Sequence, residues 1–149
     1  MLGTVCARNR LPCVCHQLHD AARLCGDLMF KRVVAVIDDD HSMRTSLARL
    51  LRAKGYVCET CASAEEFLDG FATSKASCLL IDIDLGSGLS GIELCKRLRQ
   101  LGRSLNIVMM TGVDILQNKT KAIEAGCNAY LHKPFSPHSM IDAIEKRVD

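Results

Sequence analysis

Five aspartates stand in two short groups whose side chains could share one charged ligand. The first group is the run Asp38, Asp39 and Asp40, and the second is Asp82 with Asp84. Carboxylates brought close together repel by about 1–4 kcal/mol per pair, depending on the local dielectric. A hard divalent cation offsets this repulsion, and Mg²⁺ binds oxygen ligands that include one or two carboxylates and phosphate oxygens. The two groups predict a magnesium site, with helix caps or solvated loops as the alternative for Asp40 and Asp84.

A hydroxyl and an ammonium group complete this set. Thr111 ends the apolar run that begins at Ile107, and Lys133 stands directly before Pro134 and Phe135. The proline restricts the backbone of the lysine, and we expect the Lys133–Pro134 bond to be cis. A phosphoryl group in transfer spreads its charge over three oxygens, which a metal ion, a lysine and a hydroxyl can share. The chemistry that these residue types favour is phosphoryl transfer.

The strands of a parallel sheet would bring these residues to one edge. Short apolar runs predict five strands, at residues 33–37, 56–60, 78–81, 105–110 and 128–131. Periodicity predicts five helices, at about residues 42–54, 63–71, 90–101, 114–125 and 136–149. Strands that alternate with helices predict a parallel sheet covered on both faces. The predicted fold class is α/β, a flavodoxin-like doubly wound (βα)5 domain with strand order 2-1-3-4-5 and a ligand crevice where strands 1 and 3 end.

Capping residues mark three of the predicted helix starts. Ser63 with Glu66, and Ser90 with Glu93, fit the capping-box pattern. Pro137 suits the first position of the last helix, where its missing N–H has no helical partner in any case. These starts place the helices directly after the loops that follow the strands.

Length and charge exclude several classes of protein. The chain has 149 residues, 48% hydrophobic and 24% charged, with a formal net charge of +2, which is typical of one globular domain. This weak charge does not favour nucleic acid or an anionic membrane as a partner. No apolar run approaches the ~20 residues that a membrane-spanning helix needs. We expect a cytoplasmic domain.

Nine cysteines are many for a chain of this length, and their number is odd. Five of them fall in apolar segments, where a free thiol packs as a small apolar side chain: Cys58, Cys61, Cys78, Cys95 and Cys127. This distribution predicts a reducing compartment rather than a disulfide scaffold. Cys58 and Cys61 have the C-x-x-C spacing, but they lie in a strand and its exit, not at a helix N-terminus that would stabilise a thiolate.

The chain changes character near residue 30. Residues 1–30 show no sustained periodicity, so we predict an N-terminal extension that is poorly ordered, followed by a domain at residues 31–149. Cysteines and histidines in the extension could supply a zinc site, although their spacing fits no standard ligand pattern. A short helix at about residues 17–28 and a translation start at Met29 are alternatives that the sequence leaves open.

Four motifs together resemble the receiver domains of two-component response regulators. In chain order they are Val-Ile-Asp-Asp-Asp, Leu-Leu-Ile-Asp, Met-Met-Thr-Gly and Tyr-Leu-His-Lys-Pro-Phe. The resemblance covers about residues 31–149 and includes every predicted strand and helix. It implies a switch that is phosphorylated on an aspartate with Mg²⁺ as cofactor.

The resemblance gives each matching residue a role. Asp82 matches the phosphoacceptor and a metal ligand. Asp38 and Asp39 match the acidic pair, with Asp39 preferred as the direct Mg²⁺ ligand. Thr111 and Lys133 match the hydroxyl and the lysine that bind the phosphoryl group.

Two further roles concern a backbone atom and an aromatic ring. The carbonyl of Asp84 would be the third protein ligand of the metal, and Tyr130 matches the aromatic whose rotation follows the threonine. The loop after the acceptor departs from the family, because Gly91 stands one residue further from Asp82 than usual and a common proline is missing. We prefer Asp82 to Asp84 as the acceptor because Asp82 directly ends an apolar run, and loops absorb insertions better than strands.

The resemblance implies a partner on each side of the switch. A histidine kinase or phosphotransfer protein would phosphorylate Asp82, and water would later hydrolyse the aspartyl phosphate, so the domain would not be a turnover enzyme. We expect no output domain after the last predicted helix, although a full-length regulator cut to its receiver would look identical. We therefore expect a stand-alone receiver that acts on a downstream protein target or forms a homodimer through its last two helices.

Three other functions remain open. One is a receiver-fold binding module that does not use phosphorylation, although the retained acidic, hydroxyl and lysine residues argue against it. Another is a redox or metal-storage protein built on the cysteines. The third is a Mg²⁺-dependent phosphohydrolase of the haloacid-dehalogenase type, since Asp82 and Asp84 have the spacing of its nucleophile and general acid. In that class the nucleophile normally follows the first strand, and a cap domain is expected.

Overall fold

Strands and helices alternate along the part of the chain that the computed structural model describes, residues 32–113 and 116–146. The strands are β1 (Val33–Ile37), β2 (Val57–Cys61), β3 (Cys78–Asp82), β4 (Asn106–Thr111) and β5 (Ala129–His132). The helices are α1 (His41–Ala53), α2 (Ala64–Gly70), α3 (Gly91–Gln100), α4 (Leu116–Glu124) and α5 (Pro137–Glu145). The five strands and five helices predicted after residue 30 are therefore all present, with boundaries shifted by one or two residues in most of them.

The five strands form one parallel sheet in the order β2-β1-β3-β4-β5. The predicted fold class and strand order are confirmed. β1 and β3 are neighbours, with Ile37 opposite Ile81, and Asp82 lies opposite Met110 of β4. The carboxyl ends of β1, β3 and β4 therefore meet at one edge of the sheet.

Helices bury both faces of this sheet in two separate hydrophobic cores. Successive side chains of a strand point to opposite faces, so Ile37 packs into the core under α2, α3 and α4, whereas Val36 packs into the core under α1 and α5. β1 and β3 are apolar on both faces for this reason. The polar residues that follow them mark where the strands leave the core.

Local signals start the helices close to the predicted positions. Ser90 and Glu93 form the predicted capping box at α3, in which each side chain accepts a hydrogen bond from the other residue's backbone N–H. Ser136 caps α5, and Pro137 stands at its first position as predicted. The Lys133–Pro134 bond is cis, also as predicted.

One capping prediction is wrong in part. Ser63 does accept a hydrogen bond from the N–H of Glu66, but the carboxylate of Glu66 accepts from the N–H of Ala62 at 2.7 Å and not from that of Ser63. The carboxylate therefore fixes the chain one residue before the cap. The predictions for residues 1–30 and for the start of the fourth helix at residue 114 lie outside the described residues.

Candidate functional site

The ends of β1 and β3 bring three carboxylates together. The side chains of Asp38, Asp39 and Asp82 each offer an oxygen atom, and these atoms all lie within 4.8 Å of one another. Asp38 is completely buried and Asp82 is 8% exposed, whereas Asp39 faces solvent. Two carboxylates removed from water beside a third are costly to keep ionised unless a positive charge lies next to them.

Lys133, which directly follows β5, supplies one such positive charge. Its ammonium group donates hydrogen bonds to Oδ2 of Asp82 at 2.8 Å and to Oδ2 of Asp38 at 3.0 Å. Burial raises the pKa of Asp82 above its usual value, although the hydrogen bond and charge of Lys133 oppose this rise. Burial alone would lower the pKa of Lys133, but its bonds to Asp82 and Asp38 outweigh burial and raise it. Lys133 thus favours the ionised form of Asp82, which a nucleophile needs.

The other two aspartates of the predicted set have local structural partners. Asp40 is the N-cap of α1, where its side chain accepts from the N–H groups of Ser42 and Met43. The carboxylate of Asp84 accepts from the N–H of Gly86 at 3.2 Å and is exposed. Neither side chain belongs to the cluster of Asp38, Asp39 and Asp82. For Asp84, the backbone carbonyl stays a predicted metal ligand.

Thr111 ends β4, and Tyr130 lies within the neighbouring strand β5. Thr111 is buried at the end of β4, where its hydroxyl donates to the carbonyl of Val113 at 3.1 Å and accepts from the N–H of the same residue. The carbonyl of Thr111 accepts from the N–H of Lys133 at 2.7 Å, which ties β4 to the lysine. Tyr130 on β5 is half-buried against the core under α2, α3 and α4.

The start of α3 approaches the backbone of Asp82 so closely that it has no room for a side chain. A Cβ atom on Gly91 would overlap the carbonyl oxygen of Asp82 and crowd Cγ2 of Ile81. The N–H of Gly91 donates to the carbonyl of Ile83 at 3.0 Å, which closes the loop after β3. Glycine is therefore required here for a close approach between backbones.

One contact of this site has no signal in the sequence. The guanidinium group of Arg44 on α1 donates to the carbonyl of Asp38 at 2.7 Å and contacts Nδ1 of His41 at 3.2 Å. An arginine on the first turns of a helix usually faces solvent. Its turn back to the end of β1 depends on how α1 packs on the sheet.

Comparison with known proteins decides the family. The family model described as "Response regulator receiver domain" matches residues 34–145. The chain belongs to the response regulator receiver family. It is 33% identical over 108 residues to response regulator MprA of Mycobacterium avium (strain 104), which covers 72% of this chain and 47% of that protein. The response regulator MprA of Mycobacterium tuberculosis (strain ATCC 25618 / H37Rv) is also 33% identical over 108 residues.

Solved receiver structures share the fold. A CheY-like receiver domain protein from Methanospirillum hungatei JF-1 matches with a TM-score of 0.73 and 28% identity, over 78% of this chain and 92% of that one. A response regulator from Burkholderia pseudomallei, crystallised with a phosphorylated aspartic acid, a calcium ion and citrate, has a TM-score of 0.72 and 28% identity, over 78% of this chain and 68% of that one. The receiver prediction is confirmed.

The receiver domain spans about half the length of the curated relatives that it matches. None of the helices in residues 32–113 and 116–146 has the length and apolar character that a membrane span requires. The domain boundary near residue 30 remains a prediction.

Five cysteines of the receiver lie in the described residues, and all are free thiols: Cys58, Cys61, Cys78, Cys95 and Cys127. Cys58 packs toward the core under α1 and α5, whereas Cys61 packs toward the core under α2, α3 and α4. Residues three apart on a strand point to opposite faces, so the C-x-x-C pair is separated by the sheet. Burial raises the pKa of Cys61 to about 11. These thiols offer no support for a redox function.

The carboxylate cluster fits a hard divalent cation by its chemistry. Its oxygen donors are the ligand type that Mg²⁺ and Ca²⁺ prefer, and they stand at the crevice where strand order reverses between β1 and β3. Two observations leave the haloacid-dehalogenase alternative without support. The chain belongs to the receiver family, and the carboxylate of Asp84, which would be the general acid, instead closes a local turn with Gly86.

Proposed function

We propose that this receiver is a phosphorylation switch in two-component signalling and that Asp82 is its phosphoacceptor. The observation that carries the proposal is the contact of the Asp82 carboxylate with Lys133 at 2.8 Å, beside the carboxylates of Asp38 and Asp39. A carboxylate nucleophile needs a neighbouring cation to receive an anionic donor. The Burkholderia pseudomallei relative, with its phosphorylated aspartic acid and calcium ion, supports the same chemistry here.

Mg²⁺ is the proposed cofactor. Asp39 and Asp82 would be its side-chain ligands, the backbone carbonyl of Asp84 would be its third protein ligand, and Asp38 would add negative charge beside them. When bound, the metal neutralises charge on the acceptor and on the phosphoryl oxygens. Asp38 is oriented for this role by Lys133 and by the N–H of Asp40, which donates to Oδ1 of Asp38 at 2.9 Å.

The proposed donor is a phosphohistidine of a histidine kinase or phosphotransfer protein. An oxygen of Asp82 forms the new bond to phosphorus while the bond from phosphorus to the histidine nitrogen breaks, and the imidazole leaves with a proton from solvent. Lys133 then binds the phosphoryl oxygens. Hydrolysis by water returns Asp82 and inorganic phosphate, so the domain resets without acting as a turnover enzyme on a separate substrate.

The proposed output is a change of surface around the last two helices. A phosphoryl group on Asp82 attracts the hydroxyl of Thr111 away from Val113, and Tyr130 follows into the space that opens. This shifts the population between two states, because the contacts of the hydroxyl differ between them. Leu116 and Ile123 of α4 are 78% and 57% exposed, and they suit a downstream protein target or a homodimer in the cytoplasm.

Phosphorylation should be visible as added mass on the intact chain. Incubation with acetyl phosphate and Mg²⁺ is expected to add one phosphoryl group, and an excess of chelator is expected to prevent this. The readout is intact mass against time. Absence of any added mass, both with acetyl phosphate and with a panel of autophosphorylated histidine kinases, would favour a binding module that does not use phosphorylation.

Asp84→Asn is expected to accelerate phosphorylation by acetyl phosphate. The carboxylate of Asp84 stands two residues from the acceptor and is exposed, so it repels an anionic donor, and asparagine keeps an oxygen that can accept from Gly86. We expect a gain of about twofold to fivefold, in keeping with ~1 kcal/mol for charges about 4 Å apart in water. Asp69→Asn on α2 is the control. An unchanged rate for Asp84→Asn would show that the carboxylate of Asp84 does not repel the phosphodonor.

A further inference from the structure

Glu65 on α2 contacts the loop that follows the proposed acceptor. Its Oε1 atom accepts a hydrogen bond from the N–H of Leu89 at 2.7 Å. Gly88 lies against the same carboxylate, since a Cβ atom built on it would stand 2.6 Å from Oε1. The far half of the loop, residues 87–89, is therefore held against the start of a helix 24 residues earlier in the chain.

The near half of the same loop lies against the candidate metal ligands. A Cβ atom on Gly86 would stand 3.3 Å from Oδ2 of Asp39. The N–H of Asp84 donates to Oδ1 of Asp82 at 3.1 Å, and the N–H of Gly86 donates to Asp84. Any shift of this loop therefore moves backbone atoms that touch two of the three clustered carboxylates.

Two glycines make this loop easy to deform. Gly86 and Gly88 have φ angles of +76° and +107°, which glycine adopts without the steric cost that other residues incur. A contact that holds such a loop in one conformation removes the entropy cost of ordering it when a ligand binds.

The carboxylate of Glu65 is well suited to this contact. It stands in the first turn of α2, where the helix dipole favours negative charge. The hydrogen bond from Leu89 lowers the pKa of Glu65, and the charge of Arg97 acts in the same direction. Hydrogen bonds to an ionised acceptor are shorter and stronger than those between neutral groups.

We propose that Glu65 is a positioning residue for the metal site, which it serves by holding the loop after Asp82 in its metal-binding conformation. The proposal rests on the proposed function. Glu65 itself does not touch the metal or the phosphoryl group. It fixes Leu89 and Gly88, and through the loop it fixes the backbone around Asp84 and Gly86.

Glu65→Ala is expected to weaken Mg²⁺ binding by about threefold to tenfold, which corresponds to the loss of one hydrogen bond to a charged group with part of the loss recovered by water. Glu65→Gln is expected to bind Mg²⁺ with an affinity between those of the wild type and Glu65→Ala, because its amide oxygen can still accept from Leu89 but carries no charge. Titration calorimetry on the full chain measures both. Asp69→Ala, which removes an exposed carboxylate from the same helix, controls for charge alone.

A double-mutant cycle with Gly88→Ala tests the contact itself. In the wild type the added methyl group would push the carboxylate of Glu65, the flexible end of its side chain, away from Leu89, whereas in the Glu65→Ala background there is no carboxylate to displace and only the backbone strain remains. Gly88→Ala is therefore expected to weaken Mg²⁺ binding more in the wild type than in the Glu65→Ala background. The thermal melting of Glu65→Ala without Mg²⁺ is expected to stay close to that of the wild type.

Three results would overturn the proposal. Glu65→Ala could bind Mg²⁺ as tightly as the wild type, Glu65→Gln could lose as much affinity as Glu65→Ala, or the two mutations of the cycle could be additive. If the wild type binds Mg²⁺ and is phosphorylated, these results overturn the role of Glu65 alone. A wild type that neither binds Mg²⁺ nor accepts a phosphoryl group overturns the proposed function together with it.

Discussion

Lys133→Ala is expected to reduce the rate of phosphorylation of this receiver about a hundredfold, as the loss of a preorganised donor to a developing anion commonly does. The ammonium group lies 2.8 Å from Oδ2 of Asp82 and 3.0 Å from Oδ2 of Asp38. Without it, the acceptor loses the cation that favours its ionised form and that would bind the incoming phosphoryl oxygens. The rate is measured by intact mass with acetyl phosphate and Mg²⁺.

The same substitution is expected to act on Mg²⁺ affinity in the opposite direction. Lys133 and the metal both neutralise Asp82, so loss of the lysine leaves more negative charge for the cation. We expect binding to tighten by about fivefold or more, because one charge near 4 Å contributes at least ~1 kcal/mol even in water. Lys96→Ala, at an exposed lysine on α3, is the matched control. Weaker Mg²⁺ binding in Lys133→Ala would contradict the direct contact of the lysine with the carboxylates.

Gly91→Ala is expected to lower the free energy of unfolding by about 3 kcal/mol, which is at the upper end of what an added methyl group costs in a packed interior. The methyl group would overlap the carbonyl oxygen of Asp82, a backbone atom that cannot rotate away. The start of α3 must then move from β3, and the loop after the acceptor must move with it. Urea denaturation measures the loss in stability, and slower phosphorylation is expected to accompany it.

Gly70→Ala is the matched control for this substitution. Gly70 is the last residue of α2, and a Cβ atom on it would meet nothing within 4 Å. Alanine at such a position is expected to be neutral or to stabilise the fold by up to ~1 kcal/mol, since it restricts the unfolded chain. Equal stability of the Gly91→Ala and Gly70→Ala variants would show that the approach of α3 to Asp82 is not tight.

The fold could be predicted because its signals are local. β1 and β3 read as short, fully apolar strands, and Ser90 with Glu93 marks the start of α3 within four residues. Parallel strands joined by helices leave few topologies, so the meeting of Asp38 with Asp82 followed from the strand order. The cluster of carboxylates was therefore predictable before its geometry was known.

The contacts that the sequence could not predict depend on how the helices pack on the sheet and on which way side chains turn at the helix starts. Arg44 reaches the carbonyl of Asp38, and Glu65 reaches the N–H of Leu89, only because α1 and α2 pack at particular angles on the sheet. No local pattern records such an angle. Glu66 shows the same limit, since its spacing from Ser63 fits a capping box, but its carboxylate turns to Ala62.

Phosphorylation of two matched variants tests the central claim most directly. Asp82→Asn and Asp84→Asn each remove one carboxylate, two residues apart, and each keeps the size of the side chain. After incubation with acetyl phosphate and Mg²⁺, intact mass is expected to show one added phosphoryl group on the wild type and on Asp84→Asn, and none on Asp82→Asn. Added mass on Asp82→Asn, or its loss from Asp84→Asn, would contradict the assignment of Asp82 as the acceptor.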